Sequence, residues 1–146
     1  MTTTAGTAAA LSTFVSALNE GDHASALGVF TPGAHIEDPI GAPPITGEAI
    51  AAFVHALITA QTRLFPGQLR APAEADLACL PLIAERDDPE YPGHRLRISQ
   101  VFYAESGPAG TIDRLRIIWG RSNLTPTSAA SPRYTERSAP SLVKNA

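Results

Sequence analysis

The chain has 146 residues, of which 44% are hydrophobic and 17% charged, with a formal net charge of −3. One domain of this length buries roughly 68 to 70% of its unfolded surface, enough for a core and a single cavity, and the near-average composition excludes a fibrous or wholly disordered chain. The acidic balance leaves no footprint for nucleic acid, no apolar run approaches the roughly 20 residues of a membrane span, and residues 1–7 lack the basic start of a secretion signal, so a cytoplasmic protein is expected.

Residues 8–18 carry Leu11, Phe14, Val15 and Leu18 at the three-and-four spacing of one helical face, and Asn19-Glu20-Gly21-Asp22 supplies the stop. Residues 23–30 repeat the pattern more briefly, with Ala26, Leu27 and Phe30 inward, until Thr31-Pro32-Gly33 breaks it. A short strand over 34–38 follows, ended by Pro39 and the loop through Pro43-Pro44, which leaves Asp38 at a strand end. Thr46 is the expected N-cap of a third helix reaching about residue 62, with Ile50, Phe53, Val54 and Leu57 on its inner face.

The texture then changes to extended segments over 64–73, 77–85, 94–104 and 111–119, separated by Pro66-Gly67, Asp87-Asp88-Pro89 and the stretch 106–110. Three helices followed by such strands predict an α+β fold, a cone-shaped curved mixed or antiparallel sheet packed on three N-terminal helices. In the third long strand Arg95, Arg97, Ser99, Val101 and Tyr103 share one face, and Leu96, Ile98, Gln100 and Phe102 share the other. In the last strand Leu115, Ile117 and Trp119 are the set expected to face the pocket. From Pro126 onward Ser, Thr, Ala and Pro dominate without an apolar stripe, so the predicted organisation is a flexible start over 1–6, one domain over 7–125 and a disordered tail over 126–146.

Asp38 follows His35-Ile36-Glu37 and precedes Pro39-Ile40-Gly41, a position that suits either a turn former or a carboxylate held at a cavity rim. Glu37 points to the opposite side by alternation and is expected in solvent, so the two carboxylates do not form a pair. Arg95 and Arg97 are expected to pair with the acidic stretch 85–90 before lining a pocket mouth. His23 and His55 are expected to be exposed, and His35 and His94 show no ligand spacing with each other or with Cys79, so no metal is predicted. Cys79, the single cysteine, excludes an internal disulfide and reads as a small core residue. Asn123-Leu124-Thr125 matches a glycosylation sequon that reads as chance without a secretion signal.

The segment Phe14-Val15-Ser16-Ala17-Leu18-Asn19-Glu20-Gly21-Asp22, with Ile36-Glu37-Asp38-Pro39-Ile40-Gly41 and Gly47-Glu48-Ala49-Ile50, resembles the ketosteroid-isomerase-like, SnoaL-like (NTF2-like) family over roughly residues 8–124. The resemblance implies that Asp38 is a general base working on a hydrophobic ligand. It also implies two oxyanion donors, a tyrosine and a protonated acid, whose matching positions hold Phe14 and, on an ungapped reading, Ser99. Losing one such donor costs about 100 to 1,000-fold in rate, which argues against efficient steroid isomerisation. The stretch Trp119-Gly120-Arg121-Ser122-Asn123-Leu124-Thr125 resembles the corresponding end of polyether- and pyran-forming members. Epoxide-opening relatives pair the Asp with a second acid near the end of the third helix, where Gln61-Thr62-Arg63-Leu64-Phe65 offers none, leaving Glu74, Glu85 and Asp113 as candidates from the sheet.

The expected function is therefore a cofactor-independent cyclase or isomerase of a polyketide-like intermediate in secondary metabolism, with Asp38 as base or ligand-orienting group. Epoxide hydrolase or polyether cyclase activity, steroid Δ-isomerase activity and non-catalytic binding are the alternatives. Phe14, Phe30, Phe53, Val54, Leu57, Ser99, Tyr103 and Trp119 are the expected ligand contacts. A hydrophobic small molecule is the expected partner, with homodimerisation through the sheet face around Ile98, Gln100 and Phe102.

Overall fold

The computed structural model describes residues 3–72 and 76–129. The first helix, α1 (Thr3–Glu20), buries the stripe Leu11, Phe14, Val15 and Leu18, as the spacing requires. It ends where Gly21 takes φ 71° and the amides of Gly21 and Asp22 return to the carbonyls of Leu18 and Ala17, at 3.1 and 2.8 Å. A glycine there avoids the strain of a side chain in the left-handed region. Asp22 then caps α2 (His23–Leu27), its carboxylate accepting from the Ser25 amide at 3.1 Å.

The second helix is shorter than its sequence pattern suggests. Phe30, expected on its inner face, instead opens strand β1 (Phe30–Glu37), because the apolar run needs only one turn to pass from α1 to the sheet. Thr46 is not an N-cap either: β2 (Ile45–Thr46) pairs antiparallel with β1, and Gly47 occupies the cap position of α3 (Glu48–Thr59) without a side-chain bond. Ile50 and Val54 are buried on α3, with Phe53 and Leu57 half-buried beside them.

Five further strands complete a single mixed sheet: β3 (Arg63–Pro66), β4 (Leu77–Asp87), β5 (His94–Ser106), β6 (Ile112–Ile118) and β7 (Leu124–Ala129). The order is β2-β1-β6-β5-β4-β3, with β1 parallel to β6 and β7 added antiparallel to the first half of β5. The helices cover one face of this curled, unclosed sheet, α1 lying across β3, β4, β5 and β6. Asn19 fastens the end of α1 to β3: its side-chain amide donates to the Leu64 carbonyl at 2.9 Å and accepts from the Leu64 amide at 2.7 Å.

Strand β7 corrects the expected domain boundary, since residues 126–129 lie in the sheet and not in a tail; residues 130–146 fall outside the described residues. The helix likewise includes residues 3–6, which were expected to be flexible, while residues 1 and 2 fall outside the described residues. Cys79 is half-buried, cross-strand from Tyr103, whereas its neighbours Ala78 and Leu80 supply the core by alternation. The core itself lies between α1, α3 and the inner face of β4, β5 and β6, with Phe14, Ile36, Ile98, Phe102, Leu115 and Ile117 at its centre.

Candidate active site

Asp38 stands one residue beyond β1, where two hydrogen bonds fix the following turn. The Ile40 amide donates to the Ile117 carbonyl on β6 at 2.8 Å, and the Gly41 amide donates to Glu37 Oε1 at 3.0 Å. Glu37 points away from Asp38, as alternation requires, and faces Arg116 at 3.8 Å on the outer side of the sheet. The Asp38 carboxylate turns inward. Trp119, just past β6, donates from Nε1 to Asp38 Oδ1 at 2.6 Å, and no described residue donates to the second carboxylate oxygen.

Both side chains line a cavity whose walls are mainly hydrocarbon. Leu18 of α1, Phe53 and Leu57 of α3, Leu64 of β3 and Ile98 and Phe102 of β5 close it to about 30 Å³, room for little more than one water molecule. Thr62, Arg86 and Gln100 add polar atoms, and Arg86 is the one other charged residue among the described lining residues. Burial pushes the Asp38 carboxyl above the ordinary aspartate range, while the Trp119 hydrogen bond and, more weakly, the Arg86 charge pull it back down. The net direction is upward because a charged carboxylate loses more solvation here than one donor and a nearby cation return.

Of the residues expected at the site, Asp38, Phe53, Leu57 and Trp119 come together on the cavity wall. Phe14 is fully buried one layer behind it, packed on Phe30 at 5.3 Å edge-to-face and on Phe102 at 6.0 Å. Phe30 and Val54 also belong to the core and do not line the cavity. Ser99 and Tyr103 need correction. Strand parity turns Ile98, Gln100 and Phe102 into the cavity, so Ser99 is exposed on the opposite face and Tyr103 sits there under the Arg116 guanidinium, 5.7 Å from its ring centre. The same parity removes Ile98, Gln100 and Phe102 from any exposed dimer face.

The acid candidates lie elsewhere. Glu85 is 1% exposed and sits between Arg95 Nε at 3.5 Å and Arg97 Nε at 3.4 Å; Asp87 also reaches Arg95, at 2.9 Å. This matches the expected pairing of the two arginines with the acidic stretch. Glu85, Asp87 and Arg95 border a second, more polar cavity of about 450 Å³ between the ends of α1 and α3, which shares Leu18 and Thr62 with the first. Asp113 is exposed and accepts from Thr31 Oγ1 at 3.1 Å, and Glu74 lies outside the described residues. His23 is half-buried, not exposed as expected, because its ring meets the Ala51 carbonyl at 3.2 Å, whereas His55 is exposed. Among the described residues no cluster of His, Cys, Asp or Glu has the make-up of a metal site.

No family model and no curated protein matches the sequence. Solved structures do. The epoxide hydrolase/cyclase-like enzyme SalBIII, which has a role in pyran ring formation in the polyether salinomycin, is 29% identical, with a TM-score of 0.71 over 79% of this chain and 91% of its own. The Δ5-3-ketosteroid isomerase from Mycobacterium sp. is 23% identical, with a TM-score of 0.73 over 84% of this chain and 98% of its own. A computationally designed 17-OHP binder is 20% identical, with a TM-score of 0.73 over 83% and 95% of the two chains. At 20 and 23% the last two likenesses concern the fold alone. Three helices against a curled mixed sheet, shared with an isomerase and a cyclase-like enzyme, give this chain the NTF2-like fold in its ketosteroid-isomerase-like, SnoaL-like form.

Proposed function

We propose that the chain is a cofactor-independent cyclase or isomerase acting on a hydrophobic, polyketide-like intermediate of secondary metabolism, with Asp38 as the group that moves a proton. The observation that carries this reading is the half-buried Asp38 carboxylate, oriented by Trp119 at 2.6 Å on the wall of an apolar cavity. A general base works best when its pKa approaches the operating pH, and desolvation moves Asp38 in that direction. With Oδ1 occupied by Trp119, Oδ2 is the oxygen presented to a substrate proton. The apolar walls supply the second contribution, holding a flexible chain in one folded conformer.

Double-bond migration in a steroid is the weaker version of this chemistry, because Phe14 is a hydrocarbon in the core and Ser99 is outside the cavity. Epoxide opening is a second reading, favoured by the 29% identity to SalBIII. It differs in the partner of Asp38: the described lining residues offer Arg86 and no second acid. A β,γ-unsaturated ketosteroid and an epoxy alcohol, assayed side by side, separate the two reactions.

Asp38→Asn tests the reading itself. Loss of a general base costs about 100 to 10,000-fold in turnover, and ligand affinity should stay within a few fold because the Asn oxygen still accepts from Trp119. Unchanged turnover would remove Asp38 from the chemistry. Homodimerisation is proposed through the outer sheet face, where exposed Ile118 lies cross-strand from Val101. Light scattering at micromolar concentration should return the dimer mass, and a monomer would contradict it.

A further inference from the structure

The cavity that holds Asp38 also holds a cation, Arg86, that forms no ion pair with any described residue. Arg86 follows Glu85 on β4, so alternation turns it to the cavity side while Glu85 turns to Arg95 and Arg97. None of the ion pairs among the described residues includes Arg86, and its Nε is buried without a hydrogen-bond partner. Thr62 Oγ1, on the same cavity wall, is also buried and unpartnered. Two orphaned buried polar atoms, on two residues that line one small cavity, are costly, because each has given up water without a replacement. A ligand that brings an acceptor to that spot removes the cost. Asp38 does not fill the role: its charge is felt by Arg86, but the two form no ion pair.

We propose that Arg86 is the anchor for a carboxylate carried on an otherwise hydrophobic substrate, and that this contact sets which part of the substrate lies beside Asp38. The inference rests on the reading of this cavity as the ligand site. A guanidinium suits the task because its fork of N–H donors meets both oxygens of a carboxylate, whereas an ammonium acts as a point charge. Entry of such a molecule requires the cavity walls to part, since the cavity is only about 30 Å³.

The chain has one tryptophan, so the emission of Trp119 reports occupancy of this cavity directly. Octanoate and octanamide, nearly equal in size and differing in charge, are titrated into the full chain at neutral pH. Octanoate is expected to bind at least about tenfold more tightly than octanamide. Arg86→Met should abolish that preference while octanamide binding persists, and Arg86→Lys should restore only part of it. Equal affinity for the two probes, no binding of either, or a preference that survives in Arg86→Met would overturn the anchor. Asp38→Asn is run in parallel, and removal of a neighbouring negative charge should tighten octanoate binding. If that variant keeps full turnover while the octanoate preference holds, the catalytic reading fails and the anchor stands.

Discussion

Trp119 Nε1 and Asp38 Oδ1 meet at 2.6 Å across 81 residues of sequence, joining the turn after β1 to the residue that follows β6. The contact holds the carboxylate in one orientation and opposes the effect of its burial. Its removal should therefore let burial act unopposed by that donor. In Trp119→Phe the Asp38 pKa is expected to rise further, read from the side-chain carboxyl carbon by NMR; a fall would show that the bond does not favour the charged form.

The raised pKa of Asp38 has a consequence for stability. A carboxyl whose pKa is higher in the folded than in the unfolded chain favours folding when protonated, a contribution fully present below the unfolded value of about 3.9 and lost as pH rises through the folded value. Above that value the protein carries a poorly solvated charge. Asp38→Asn should therefore melt within about a degree of the native chain in acid and a few degrees higher near neutral pH. Equal melting temperatures at both pH values would contradict the desolvation of Asp38.

Glu85 is the shared counter-charge of two buried arginines. With the carboxylate 1% exposed and lying 3.4 to 3.5 Å from both Nε atoms, its replacement leaves positive charge in the interior. Glu85→Gln is expected to cost about 3 to 5 kcal/mol in urea unfolding. A loss below about 1 kcal/mol, the typical worth of an exposed pair, would show that solvent reaches the cluster.

Ligand contacts should follow strand parity. Ser99→Ala and Tyr103→Phe, on the outer face, are expected to leave ligand affinity within a factor of two, whereas Gln100→Leu, on the cavity wall, should change it severalfold. Titration of the Trp119 emission separates the two sets. A large effect of Ser99→Ala would place the ligand on the other side of β5.

These residues also show how far the sequence could be read. The helical stripes of α1 and α3 and the inward set Leu115, Ile117 and Trp119 were legible because a period of 3.6 or 2 records which face is buried. On β5 both faces are mixed: Arg95 and Arg97 are buried by an ion cluster, so polarity no longer identifies the outer side, and Ser99 and Gln100 exchange roles. Arg86 was hidden by its neighbours. Within Glu85-Arg86-Asp87-Asp88 it reads as part of a solvated charged loop, yet β4 continues to Asp87 and alternation carries Arg86 inside. Strand β7 was obscured by its Thr-Pro-Thr-Ser composition. It is held to β5 partly by side chains, Thr127 Oγ1 donating to the Arg95 carbonyl at 3.0 Å and the His94 ring meeting the Thr127 carbonyl at 2.8 Å, contacts that leave no periodic apolar trace.

The central claim is that Asp38 is a desolvated carboxylate available to take up a proton, and its titration can be followed without knowledge of the substrate. The side-chain carboxyl carbon of Asp38, identified by its absence from spectra of Asp38→Asn, is titrated by NMR through the acidic range. A midpoint above the ordinary aspartate value of about 3.9 is expected, with the Trp119 Nε1–H signal moving at the same midpoint. A midpoint at or below that value, or an indole signal that ignores it, would contradict the assignment of Asp38 as the base.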